Sequence, residues 1–345
     1  MKPKVVLTHR VHPDVIKYLS INCDVIPNDS IDSLTQREII QRAKQAQAIM
    51  SFLPDSMDDV FLSQLPELKI VSCALKGYDN FDVEACTRRG IWFSIVPDLM
   101  AAPTAELAIG LLLGITRHIL QGDDFIRSGE FQGWRPMLYG QSLQGKTAGI
   151  IGMGRIGKAI AKRLSGFDMQ LLYCDPKPLC QQSEIQLGIT RTSLSELLAK
   201  SHYILPAVPF KTNTFHLINE KSLTKIQPNA FIINVCRGSV VDESAVADAL
   251  SRNTLAGYAA DVFEMEEWVR NHRPTGIPRE LIEQKNKTLF TPHLGSSVSN
   301  IRYHIEMTAA KNILQALNGQ KPDNAINSPP PARRAVQQPL SVIPD

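Results

Sequence analysis

The stretch "GIIGMGRIGKAIAKRL", residues 149–164, turns within a few residues from a short apolar run into an amphipathic, helix-like pattern. Gly152, Gly154 and Gly157 stand at the turn and spell GxGxxG. The first glycine permits a tight strand-to-helix turn. The second lets backbone approach a ligand, and the third lets the helix pack close on the strand. Arg155 and Ile156 then open a helix whose unpaired N–H groups and positive dipole end suit a pyrophosphate. Glycine-rich turns also occur for backbone geometry alone, so context must decide. The next apolar run, "MQLLYCD", ends on Asp175, followed by Pro176. An acid about 20 residues past the glycines hydrogen-bonds ribose hydroxyls. It also repels a 2′-phosphate, so the pattern predicts NAD, with weaker or no use of NADP; Lys177 leaves some NADP use open.

Outward from this stretch, short apolar runs alternate with helix-period segments. Before it come "KVVLTH", "QAIMSF", "LKIVSC" and "IWFSIV"; after it come "QLLYC", "HYILPAV", "AFIINVC", "AGYAADV" and "TLFTP". This βαβα rhythm predicts α/β structure built on parallel sheets with helices on both faces. A long apolar helix is expected over residues 104–120 and another over 298–317. From Gly319 the chain is proline-rich, through "NSPPPARR" and "QQPLSVIPD", and reads as an extended arm.

The chain of 345 residues is long enough for two domains with separate cores. A net charge of +3 is too mild for a nucleic-acid partner. The most apolar helical segment, "LAIGLLLGI", is too short to cross a bilayer, and the N-terminus lacks signal-peptide character. Six cysteines without metal-like spacing read as reduced thiols of a cytoplasmic protein, and no metal is expected.

Three further segments place polar residues at the ends of expected strands, where ligands of open α/β sheets bind. They are "NVCRGSVVDE" with Arg237, "ADVFEMEEW" with Asp261, Glu264 and Glu266, and "TPHLGSS" with His293. Singly, each has a bland reading: a surface arginine, a solvated acidic face, a structural histidine. Together, and behind the glycine fingerprint, they point to chemistry.

In order and spacing these motifs resemble the D-2-hydroxyacid dehydrogenase family over residues 3–320. The resemblance implies two doubly wound parallel-sheet domains. A Rossmann domain, residues 101–295, would be inserted into a flavodoxin-like substrate domain, residues 1–100 plus 296–320, with 321–345 as the arm. It implies a homodimer, and Arg237, Glu266 and His293 as catalytic residues. Either His293 would act as the base, with Glu266 fixing its tautomer, or Arg237 would assist the nucleophile with His293 chiefly electrostatic. By the same resemblance, Thr104, Ala207, Val208, Pro209, Cys236, Asp261 and His293 lie near the dinucleotide, while Arg155, inside the fingerprint, either contacts pyrophosphate or extends into solvent.

Within the family, "CALKGYDNFDVEACTRRG", "RSGEFQGWRPMLYG" and "YAADVFEMEEW" resemble the phosphonate dehydrogenase branch, which oxidises phosphite to phosphate with NAD. That narrower likeness implies that Lys76, Arg237 and His293 bind substrate, with Trp134, Tyr139 and Arg302 lining or supporting the site. Gly77 lets backbone approach a small ligand, and Leu53 stands where that branch carries methionine. A phosphite dianion in a closed cleft calls for more than one cation, whereas one arginine satisfies a carboxylate. Lys76 therefore carries the expectation of phosphite oxidation by hydride transfer from phosphorus as water attacks. The alternative is a 2-hydroxyacid dehydrogenase reducing glyoxylate or hydroxypyruvate. A remote one is an NAD-sensing corepressor-like interaction protein.

Overall fold

The computed structural model describes residues 1–267, 270 and 272–330. It forms two compact units, one made of Met1–Pro97 with the chain from Tyr303 onward, the other of Asp98–Arg302. Each is built on one parallel sheet.

In the first unit the strands are β1 (Lys4–Leu7), β2 (Asp24–Ile26), β3 (Ala48–Ser51), β4 (Ile70–Cys73) and β5 (Trp92–Ser94). Their order is β2-β1-β3-β4-β5, and every pairing is parallel. β3 and β4 are buried at every position, which is why they read as unbroken apolar runs. Helix starts are marked locally. Thr35 and Glu38 form a reciprocal capping box ahead of Gln36–Ala43, and Asp82 caps Val83–Arg88. The closing helix, Ser299–Leu317, buries Ile305, Ala309, Ala310 and Ile313. Ser72 in β4 donates a hydrogen bond to the Ala309 carbonyl at 3.1 Å. The chain beyond this helix lies along the β5 edge. Ala325 pairs antiparallel with Ser94, and Asn327 accepts the Phe93 N–H and donates to the Ile91 carbonyl. The rest of the expected arm, 331–345, lies outside the described residues.

In the second unit the strands are β6 (Thr147–Ile151), β7 (Gln170–Cys174), β8 (Ile189–Arg191), β9 (Tyr203–Pro206), β10 (Phe231–Asn234), β11 (Gly257–Ala260) and β12 (Thr288–Phe290). Their order, β12-β11-β10-β9-β6-β7-β8, reverses direction between β6 and β9. Such a switch point leaves a crevice at the carboxyl ends of the strands where ligands bind. Two cores lie on opposite faces of this sheet. One holds Leu112, Ile150, Ile160 and Ile233, and the other Leu197, Ile204, Ile232 and Leu250.

The apolar helix differs from its expected span. It runs Ala101–Thr116, and a second helix, Ile119–Arg127, follows after His118 adopts a left-handed backbone with φ 53°. Returning chain enforces the break: the Gln141 N–H takes the Thr116 carbonyl at 2.9 Å. Gly140 makes that approach possible, since a Cβ there would lie 2.2 Å from the same oxygen. Two strands, β2 and β8, have no counterpart among the expected ones. Both are three-residue edge strands with exposed positions.

Candidate active site

The glycine stretch folds as its spacing predicts. Gly152 closes β6 with φ 96°, and a Cβ there would sit 2.7 Å from the Ala207 carbonyl oxygen and from Val208 Cγ1. A Cβ on Gly157 would lie 2.1 Å from the Gly152 carbonyl oxygen, so only glycine lets the helix pack this close. Gly154, by contrast, faces open space and caps the helix Arg155–Leu164 with no side-chain hydrogen bond. The N–H groups of the first helical turn, from Arg155 and Ile156 on, are thus left for an anionic ligand.

Asp175 stands at the end of β7. Its Oδ2 accepts the Met153 N–H at 2.7 Å and its Oδ1 the Lys177 N–H at 2.8 Å. The carboxylate is therefore tied directly to the glycine turn, as a ribose-binding acid needs to be. Pro176 and Pro209 are exposed beside the crevice, while Ala207 and Val208 are partly buried against Gly152. Exposed Arg155 pairs with Asp98 at 2.5 Å. Together these features fit a dinucleotide.

Cys236 is buried, its thiol donates to Asn234 Oδ1 at 3.2 Å, and burial pushes it up to about 11. It is a packing thiol rather than a reactive one. Asp261 is also buried. Its carboxylate accepts the Thr291 hydroxyl and the Leu294 N–H, each at 2.6 Å, and the Gly295 N–H at 2.9 Å. Thr104 donates to the Gly295 carbonyl from the neighbouring helix at 3.2 Å. Asp261 and Thr104 thereby pin the 291–295 loop that presents His293, whose own backbone is left-handed with φ 56°.

His293 Nδ1 lies 2.5 Å from Glu266 Oε2, and Glu266 Oε1 accepts the Phe263 N–H at 2.7 Å. The carboxylate is held at one end by its own turn and offered to the imidazole at the other. Arg237 lies on the loop after β10, with its guanidinium Nη1 donating to the Cys236 carbonyl at 2.7 Å. This loop packs directly on the Glu266 turn: a Cβ at Gly238 would lie 1.9 Å from the Phe263 carbonyl carbon. The neighbouring acids are not a solvated face. Glu264 and Glu267 are 6% and 5% exposed; both meet Arg270, at 2.8 and 3.4 Å, and Glu267 also accepts the Ser239 N–H and hydroxyl. Buried Glu243 and partly buried His216 adjoin these acids, the latter 3.1 Å from Glu264. Neither was legible in the sequence. Glu243 follows the N-cap Asp242 and looks like an ordinary first-turn acid.

In the first unit, Lys76 and Gly77 follow β4 and Leu53 follows β3. The two turns are linked by Asn80, whose amide donates to the Leu53 carbonyl at 3.3 Å. Lys76 is exposed and Leu53 partly buried. In the second unit Trp134 and Tyr139 are 85% and 78% exposed, and Arg302 lies in the first turn of the closing helix.

Residues 109–295 match the model of the D-isomer specific 2-hydroxyacid dehydrogenase NAD-binding domain. The chain belongs to this family. It is an NAD-dependent oxidoreductase with an NAD-binding domain. The chain is 35% identical over 334 residues to a glyoxylate reductase of Thermococcus litoralis, covering 95% of this chain and 97% of that one. It is 36% identical to the glyoxylate reductase of Pyrococcus furiosus over 332 residues, 95% of this chain and 96% of that one. Among solved structures, the NADPH-dependent glyoxylate/hydroxypyruvate reductase of Sinorhizobium meliloti with NADP and malonate superposes with a TM-score of 0.80. It shares 27% identity and covers 97% of this chain and all of its own.

These relatives correct the substrate expectation. Proteins matched over 94–95% of the chain are glyoxylate reductases at 33–36% identity. Phosphite oxidation, and with it the assignment to the phosphonate dehydrogenase branch, is overturned by these relatives, which carry the name glyoxylate reductase. The expectation rested on Lys76 as a second cation required by a buried dianion. Lys76 is exposed at the end of β4, and a cation there serves a carboxylate as well as a dianion, so by itself it does not select phosphite. Among the described residues no helix is long and apolar enough to cross a membrane.

Proposed function

We propose that this protein interconverts a small 2-keto acid, glyoxylate or hydroxypyruvate, and its 2-hydroxy acid. Bound NADH supplies a hydride to the carbonyl carbon. The observation that carries the reading is the His293–Glu266 pair on a turn packed against the Arg237 loop. Arg237 binds the single carboxylate of the substrate through its planar, doubly donating guanidinium. His293 donates a proton to the carbonyl oxygen as the hydride arrives, and takes it back in the reverse direction. Glu266 holds the Nδ1 side of the ring, which leaves Nε2 for the substrate and stabilises the protonated imidazole.

Lys76, Gly77 and Leu53 are assigned as substrate contacts, Trp134, Tyr139 and Arg302 as residues that line or support the site. Asp175 favours NADH over NADPH by charge repulsion. Exposed apolar residues on and after the Ile119–Arg127 helix, including Ile126 and Phe131 at 53% and 49%, support a homodimer. Sedimentation at the monomer mass would remove that inference.

The deciding assay measures NADH consumption with glyoxylate, hydroxypyruvate and pyruvate. NADH formation with phosphite is run as the control. Turnover on glyoxylate or hydroxypyruvate, with none on phosphite, is expected; the opposite pattern overturns the reading.

A further inference from the structure

Glu243 is 1% exposed and lies under the turn that carries Glu266. Its Oε1 accepts the Glu264 N–H at 2.9 Å, while its own N–H donates back to Glu264 Oε1 at 3.4 Å. The Arg237 loop and the Glu266 turn also meet at Gly238, by close backbone packing, and at Ser239, through Glu267. Glu243 grips the first residue of the turn, Glu264. We propose that Glu243 is a positioning residue: it fixes the Glu264–Glu266 turn and thereby the distance at which Glu266 meets His293. This rests on the reading of His293 and Glu266 as the proton-transfer pair.

The charges around it say which form does this. From the turn, Glu264, Glu266 and Glu267 face it, all acids. The buried hydroxyl of Tyr258 in β11 is pushed up by burial first and then by the Glu243 charge. Positive charge reaches the cluster at Glu264, through Arg270 and, when protonated, His216, which Asp242 faces at 3.6 Å. One arginine cannot neutralise so many buried acids. Burial first, then the neighbouring carboxylates, push Glu243 from 4.5 to about 7. Its second oxygen, Oε2, has no hydrogen-bond partner among the described residues, which leaves it the oxygen free to carry a proton. Loss of that proton adds an uncompensated charge beneath the turn, loosens it, and separates Glu266 from His293.

The test compares the NAD-bound wild type with Glu243→Gln and Glu243→Ala. The amide keeps an acceptor for the Glu264 N–H without gaining charge. Its ratio of kcat at alkaline pH to kcat at pH 6 should exceed the wild-type ratio severalfold. The alanine variant should lose at least about tenfold in kcat, with the NADH KM changed less than about twofold. Profiles of wild type and Glu243→Gln that superimpose overturn the proposal, even if the alanine variant fails to fold. NMR titration of the His293 imidazole supplies a readout free of substrate. A titration unchanged in Glu243→Gln overturns the positioning role, whereas a shifted one with no keto-acid turnover sinks only the assigned reaction.

Discussion

The 2.5 Å contact between His293 Nδ1 and Glu266 Oε2 joins two loops that leave the sheet at different strands, β12 and β11. Neither loop could hold it alone. Asp261 anchors the histidine loop through its backbone N–H groups, and Gly238, Ser239 and Glu243 anchor the glutamate turn.

If that contact orients the proton donor, both partners are sensitive. His293→Ala should lower kcat by about 10²-fold or more, the usual worth of a positioned acid–base group. Glu266→Gln should do so to a similar or lesser degree, since an amide no longer stabilises the protonated ring. Steady-state kinetics with NADH binding by fluorescence checks this; affinity for the dinucleotide should stay near wild type.

Gly238→Ala should destabilise the second unit. The new Cβ would lie 1.9 Å from the Phe263 carbonyl carbon and 2.1 Å from the Glu264 nitrogen, and rigid backbone must shift. Overpacking of this kind costs about 1–3 kcal/mol. Thermal denaturation should show a Tm lower by several degrees, with kcat reduced because Arg237 and Glu266 move together.

Asp175→Ala removes the acid proposed to meet the ribose, which also ties down the Met153 N–H. The kcat/KM for NADH should fall and that for NADPH rise, shifting their ratio about tenfold or more toward the phosphorylated cofactor. Parallel kinetics with both dinucleotides measures it.

Lys76→Ala tests the first unit's share in substrate binding. A lost charge-assisted hydrogen bond of about 1.5–3 kcal/mol would raise the glyoxylate KM about 10- to 100-fold. The NADH KM should be unchanged. An unaltered glyoxylate KM would mean that Lys76 is only a solvated strand-end residue.

Glu243 also gives stability a pH dependence of defined sign. Its folded value lies near 7, above the ordinary 4.5, so between these values the native state holds a proton that the unfolded chain has released. Stability from this group is complete at the acid end and declines as pH rises toward about 7. Chemical denaturation across that window should show a downward slope that flattens in Glu243→Gln.

Much of this site could be read before any coordinates existed. Gly152, Gly154, Gly157 and Asp175 announce themselves because a dinucleotide turn demands those residue types at that spacing. Arg237, Glu266 and His293 were legible as strand-end polar residues, although their contacts were not. The buried acid cluster was hidden, since Glu243, Glu264 and Glu267 look locally like helix-start and surface acids. The edge strands β2 and β8 escaped as well, being too short and too exposed to carry an apolar pattern. Substrate choice went astray at Lys76, where a single strand-end charge was asked to distinguish a dianion from a carboxylate.

By itself the sequence determined what depends on neighbours along the chain: the buried strands, the capped helices and the glycine turn. Tertiary structure decided what depends on distant segments meeting. It ended the apolar helix at Thr116 by bringing the Gln141 N–H to that residue's carbonyl. It drew the edge strands into sheets, and it buried Glu243, Glu264 and Glu267 at the turn that holds Glu266. The physical reason is that hydrogen bonding within a turn is local, whereas burial and the charges a group feels are set by whatever the fold packs against it.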